Sequence, residues 1–417
     1  MIADAEKWLW EAVDVALDSE RIRSDFPVLQ KNSAIYFDSA CTTLKPRAVI
    51  EAERNYYEEV SGCAGRSAHT LAKKTDELFA SAKEKVAKFI GAKSDEVVWV
   101  KNATEALNLV IRSFDYAGSK RNKVVTTSLE HHSLLLPIME QQRRGAVKME
   151  LLKTNTDGTF DEQPIASTID KTTALVAVHH TTNTTGMRAP LEKIVKIAHE
   201  NGALVLVDGA QGVPHSKIDF KKLGADFLAF SGHKMLGPTG IGCLVGKAEA
   251  LEGLDTFIVG GETVETVHLS GPLFKKAPKK FEAGIQNYAG AIGLGAACDY
   301  LGRIGMQNVE EHERKMAKKV IEAVLSVPGA TIYGTQDASK RCALVSFNLK
   351  NVKHHQVALM CDSLSKIALR SGVFCAQPAM ESLGAPDGAV RASLYIYNSE
   401  KEIETFRETL SKIAKIG

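Results

Sequence analysis

Eight short apolar runs punctuate the first part of the chain, at residues 34–37, 96–100, 123–126, 147–152, 174–178, 203–207, 227–230 and 241–245. Each is of strand length, and helical patterns separate most of them. Leu78, Ala82, Val86 and Phe89 fall on one face of such a helix, which Gly91 ends. Strands alternating with helices predict a mainly parallel sheet covered on both sides. Beyond residue 290 the pattern changes. Helices are expected over 289–305 and 309–327, strands over 330–333 and 343–348, and Ile403, Phe406, Leu410 and Ile413 form the apolar stripe of a closing helix. Near the start, Trp8, Leu9, Val13, Leu17 and Ile22 recur at helical spacing, so a helix docking on the body is expected there.

A chain of 417 residues exceeds one compact core of usual size, so two domains are the default. At 44% hydrophobic and 24% charged, the composition is that of a soluble globular protein. The net charge of +2, with no basic cluster, argues against nucleic acid as a partner. No apolar run approaches the roughly 20 residues of a membrane span, and residues 1–25 do not read as a signal peptide. Cys41, Cys63, Cys243, Cys298, Cys342, Cys361 and Cys375 are scattered and odd in number, with no CxxC pair. That fits a reducing, cytoplasmic setting without disulfides or a metal site.

Chemistry concentrates where apolar runs end. Val-Leu-Val-Asp-Gly-Ala-Gln carries Asp208 and Gln211, and Ser-Gly-His-Lys carries Ser231, His233 and Lys234. An acid after one buried strand and a lysine after the next suit pyridoxal phosphate: the amine joins the aldehyde and the carboxylate keeps the pyridine nitrogen protonated. A lysine buried behind an apolar strand has a lowered pKa and is a better nucleophile; alone, it would be a solvated surface residue. Asn102 and Glu105 have capping-box spacing, and backbone N–H groups at Ala103 and Thr104 suit a phosphate; a well-capped helix is the plainer reading. His131 after the strand at 123–126 is placed either to stack on a ring or as half of a surface histidine pair. Asn183 lies in a Thr/Asn/Gly cluster that reads as a polar turn or as a ligand for a ring hydroxyl or carboxylate. Cys375 follows Gly372 and precedes Pro378, with Arg370 nearby, so it is an exposed thiol beside a cation or an inert buried one. Arg391, at the start of an expected strand, suits a carboxylate bidentately or forms a salt bridge.

Taken together, YFDSACTTLKP, RSAHTL, NATEALNLV, LEHHS, NTTG, VDGAQ, SGHKMLGPTGIG, FEAG, RSGVFCAQP and VRASLYIYN make the chain resemble the class V, fold-type I pyridoxal phosphate enzymes. More closely, it is similar to the Suf-type (group II) cysteine desulfurases and their selenocysteine lyase relatives, over residues 36–398. The resemblance implies an α/β fold with a mainly parallel seven-stranded sheet in a large domain at 31–288, and a smaller α+β domain made of 1–30 with 289–417. It implies a homodimer, L-cysteine as substrate, and a sulfur-acceptor protein serving iron–sulfur cluster assembly. Lys234 becomes the Schiff-base lysine and proton shuttle, Asp208 the partner of the pyridine nitrogen and Gln211 that of the ring hydroxyl. His131 stacks on the ring; Ala103, Thr104, Ser231 and His233 surround the phosphate. Asn183 and Arg391 hold the substrate carboxylate, with Ala40 and Arg370 close by. His69 and Arg66 sit near the site mouth, and Cys375 accepts the sulfur, leaving alanine and a persulfide.

Two positions depart from the family pattern. FEAG is followed by Ile285-Gln286 where the family has Thr-Pro, whose threonine reaches the neighbouring protomer's phosphate. Phe374 stands where histidine often precedes the cysteine. Alternatives carried forward are a selenocysteine lyase, another class V aminotransferase or lyase, and a non-enzymatic sulfur-transfer scaffold.

Overall fold

The computed structural model describes residues 17–65 and 67–416. Trp8, Leu9, Val13 and Arg66, singled out above, lie outside them. Leu17 and Ile22 do pack on the main core, beside the short helix Ser19–Arg23.

The larger sheet has seven strands, in the order Val97–Val100, Gly242–Gly246, Phe227–Ser231, Leu204–Asp208, Thr173–His179, Lys123–Thr127, Lys148–Leu152. All neighbours run parallel except Gly242–Gly246, which is antiparallel to both strands beside it. The strands that read as unbroken apolar runs are those buried along their whole length, as in Thr173–His179 and Phe227–Ser231. Register places His179 opposite Asp208, and Ser231 and Val100 both opposite Gly242. The polar residues at these strand ends therefore share one edge of the sheet, where ligands of open α/β sheets bind.

On Thr70–Phe89 the expected face holds at Ala82, Val86 and Phe89 but not at Leu78. Ala72, Thr75, Ala82 and Val86 are buried, while Leu78 is 38% exposed. The helix Tyr288–Ile304 lies against this side, and a Cβ on its Gly295 would stand 3.1 Å from the Ala82 Cα. Close backbone approach selects the small residues over leucine. Gly91, at φ +69°, does follow the helix end.

A second sheet, antiparallel, orders Ala330–Tyr333, Leu344–Leu349, Ala389–Ser393 and Arg370–Gly372. Helices Met306–Leu325 and Glu400–Ala414 close its core with Val320, Val324, Phe406 and Leu410; Phe37 from the N-terminal side joins them. Tyr395 and Tyr397 instead pack into the large core, so the two cores meet along this segment. Arg391 lies in the middle of its strand, paired in register with Ser346 on one side and Arg370 on the other.

Candidate active site

A cavity of about 230 Å³ opens at the carboxyl edge of the large sheet, against the second sheet. Ala40, Ala103, Thr104, His131, Asn183, Asp208, Gln211, Ser231, His233, Lys234, Arg370, Cys375 and Arg391 all line it. His69 does not. It caps the helix Thr70–Phe89, its Nδ1 accepting from the Ala72 N–H at 3.2 Å.

The wall at Asn102–Thr104 is a helix N-terminus. The Asn102 side chain accepts from the Glu105 N–H at 3.0 Å, and the Ala103 N–H donates to Ser231 Oγ at 2.8 Å. The Ala103 donor, expected to be free, is thus spent on locking the helix to the strand end. The Thr104 hydroxyl pairs with that of Ser133 at 2.7 Å. Gly242 makes this approach possible: a Cβ there would stand 2.8 Å from the Asn102 Cα.

Across the cavity, His131 caps the helix His132–Arg143, its Nδ1 accepting from the Ser133 N–H at 3.1 Å. Burial, reinforced by Lys234, His132 and Arg391, lowers its pKa to about 3, so the ring is neutral at physiological pH. Burial likewise lowers His233 to about 4, with Lys234 and Lys45 adding to the effect.

Asp208 Oδ1 accepts from the Ala210 N–H at 2.9 Å. Burial raises its pKa, and the nearby Lys234 opposes the rise. Burial lowers Lys234, with Asp208 pulling the other way. Among the described residues the Lys234 ammonium has no hydrogen-bond partner.

Arg391 is buried. Nη1 donates to the Asn183 carbonyl at 2.9 Å, Nη2 to Asp38 Oδ1 at 3.2 Å, and Nε has no partner among the described residues. Its guanidinium lies 5.0 Å from the Phe374 ring centroid. The Asn183 side-chain amide donates to the Phe374 carbonyl at 2.8 Å, which ties the cysteine loop to this strand end. Cys375 is exposed, its carbonyl accepting from the His132 N–H at 2.8 Å. Phe374 and Cys375 both have φ of 54°, two successive left-handed non-glycine residues. Such backbone persists only where its surroundings enforce it.

Sequence reasoning did not place Cys41, His179, Thr181, Thr182 or Ser133 in this wall. Only the strand-end position of His179 signalled it. Its Nδ1 donates to buried Glu130 Oε1 at 2.8 Å. A buried group of His215, Glu313 and Cys342 lies nearby. Both His215 nitrogens are engaged there, Nδ1 with Glu313 Oε1 at 2.6 Å and Nε2 with Gln211 Oε1 at 3.2 Å.

The family model for class-V aminotransferases matches residues 35–406. This chain belongs to that family. A probable cysteine desulfurase of Halalkalibacterium halodurans is 40% identical over 402 residues, covering 95% of this chain and 98% of its relative. The apo structure of a cysteine desulfurase from Thermococcus onnurineus NA1 superposes with a TM-score of 0.92 at 38% identity, covering 98% of this chain and 100% of the other. The Escherichia coli cysteine desulfurase CsdA, in an S-sulfonic acid form, gives a TM-score of 0.88 at 32% identity, covering 96% and 100%. As a class-V family member the chain is an enzyme of this α/β fold, and no helix among the described residues is long and apolar enough to cross a membrane.

Proposed function

We propose that the chain is a cysteine desulfurase that uses pyridoxal phosphate to convert L-cysteine to L-alanine, leaving a persulfide on Cys375. The observation that carries this reading is the meeting of an exposed thiol with a half-buried lysine amine that has no hydrogen-bond partner among the described residues, in one cavity.

The residues present fit the cofactor. Lys234 has no competing partner, Asp208 accepts a single backbone N–H, and the Thr104, Ser133 and Ser231 hydroxyls gather at a helix N-terminus suited to phosphate. When bound, pyridoxal phosphate supplies an aldehyde for amines and a protonated ring that takes up an electron pair. Asp208 would hold the ring nitrogen and Gln211 the ring hydroxyl. His131, neutral at physiological pH, would stack on the ring without adding charge. Burial favours the uncharged Lys234 amine, which moves a proton at the substrate α-carbon. Arg391 would hold the substrate carboxylate, with Asn183 and Ala40 lining the same cavity. The Cys375 sulfur attacks the substrate sulfur: a carbon–sulfur bond breaks, a sulfur–sulfur bond forms, and alanine leaves. Atoms balance as cysteine plus thiol giving alanine plus persulfide.

A second copy of the chain is the proposed partner of the hairpin Val264–His268 and Gly271–Phe274. Val267, Leu269, Leu273 and Ile285 are 65%, 112%, 60% and 70% exposed, an apolar surface that a homodimer would cover. Ile285 stands outside this chain's cavity and cannot donate to a phosphate. The exposed Cys375 supports delivery of sulfur to an acceptor protein for iron–sulfur cluster assembly.

The test is reconstitution with pyridoxal phosphate followed by borohydride reduction and peptide mapping. The reduced cofactor is expected on Lys234, and L-cysteine is expected to yield alanine. A label elsewhere, or turnover of L-selenocysteine alone, would overturn the assignment.

A further inference from the structure

Cys41 is unused by the chemistry above, yet it lines the same cavity as Cys375. It belongs to no core cluster. Its sulfur is half-buried and accepts a hydrogen bond from Arg370 Nη1 at 3.6 Å. Arg370 opens the strand Arg370–Gly372, which runs directly into the loop bearing Cys375. Both cysteines share that cavity with Lys234. Cys243, Cys298, Cys342 and Cys361 are enclosed in the interior, where burial pushes their thiols up. Cys63 is held away from the cavity, against the Ala64 carbonyl. Among the described residues, Cys41 is the one other cysteine facing the reaction space.

Building on the function proposed above, we infer that Cys41 is a second sulfur-carrying residue, taking the terminal sulfur from the Cys375 persulfide inside the cavity. The Cys41 sulfur attacks the outer sulfur of the persulfide, and the Cys375 sulfur leaves. One sulfur–sulfur bond forms as another breaks, and the Cys41 proton passes to Cys375. No oxidant or reductant is consumed. Arg370 and Arg391 line the same cavity and place positive charge beside the exchange. Cys375 is thereby freed for a second turnover before any acceptor arrives, with one sulfur stored in the half-buried position.

The experiment uses the reconstituted full chain with L-cysteine and neither reductant nor acceptor. Alanine is counted in the first burst, and persulfides are alkylated and located by peptide mass mapping. The wild-type chain should carry sulfur on both cysteines. In Cys41→Ala and Cys41→Ser the Cys375 persulfide should remain while the alanine burst falls by half. Cys375→Ser should leave Cys41 unmodified. Sulfur on Cys375 alone in the wild type, an unchanged burst in both Cys41 variants, or a Cys41–Cys375 disulfide with released sulfide would each overturn the relay and leave the desulfurase assignment standing. Sulfur reaching Cys41 in Cys375→Ser would also overturn it, by making Cys41 a direct acceptor. Sulfur on neither residue would refute the assigned function and the relay together.

Discussion

Gln211 Oε1 lies 3.2 Å from His215 Nε2, while its amide nitrogen donates to the Ala40 carbonyl at 2.7 Å. His215 Nδ1 is in turn 2.6 Å from Glu313 Oε1. The chain of contacts fixes which way the Gln211 amide faces, and so what it can offer a ring hydroxyl. Glu313 is 1% exposed; its Oε1 faces this imidazole and its Oε2 accepts from the Ala343 N–H at 3.2 Å. His215→Ala should therefore lower stability by about 3 kcal/mol, because it takes one of two partners from a buried carboxyl. Thermal unfolding of the purified chain checks it; a loss within 1 kcal/mol would mean that Glu313 finds another partner.

Gly242 is the close-packing point beneath the helix at Asn102. Its added Cβ would meet the Phe230 carbonyl oxygen at 2.6 Å and the Asn102 Cα at 2.8 Å, both backbone atoms that cannot swing aside. Gly242→Ala should cost about 1–3 kcal/mol. It should also weaken pyridoxal phosphate binding, since the helix N-terminus is pushed from its place. Equilibrium titration of the cofactor would detect this; unchanged affinity would remove Thr104 from the phosphate site.

The sheet and the residues at its strand ends were readable from the chain because parallel strands buried on both faces are written as continuous apolar runs. Asp208, Ser231 and Lys234 follow such runs directly. The hairpin at Val264–His268 left no such trace: its Val-Glu-Thr-Val-His is exposed over most of its length and carries no one-sided pattern. On the helix Thr70–Phe89 only Leu78 departs from the expected face, and the close approach of Gly295 to Ala82, far along the chain, has no local signature. Cys41 was equally silent. A lone cysteine in a loop gains meaning only when the fold brings Arg370 to it, 329 positions away. The Asp38–Arg391 pair spans 353 positions and has no local signature at all.

Arg391 depends on the planar fork that reaches Asn183 and Asp38 at once. Arg391→Lys keeps the charge but loses that geometry. The KM for L-cysteine should rise about tenfold or more, the cost of a lost charge-assisted hydrogen bond. Steady-state kinetics with the folded variant decides this. A fall in kcat alone would assign the residue to the chemistry rather than to the carboxylate.

His131 links the site to pH. Its folded pKa, about 3, lies below the ordinary 6.5, so between those values the unfolded chain binds a proton that the folded chain does not. Its contribution to stability is complete above pH 6.5 and is lost as the solution is acidified towards 3. Buried Asp208 acts in the opposite sense, its raised pKa favouring the folded state at low pH. Comparison with His131→Gln isolates the histidine. Denaturant unfolding should show the wild type losing stability relative to the variant below pH 6.5, and a difference constant with pH would contradict the burial argument.

The central claim is that the Cys375 thiol takes sulfur from L-cysteine within a cavity organised around Lys234. The direct measurement is alanine formation by the reconstituted chain and by Cys375→Ser, with L-cysteine and a thiol reductant to clear the persulfide. The account predicts sustained alanine production by the wild type and almost none by the variant. Equal rates from both would contradict it.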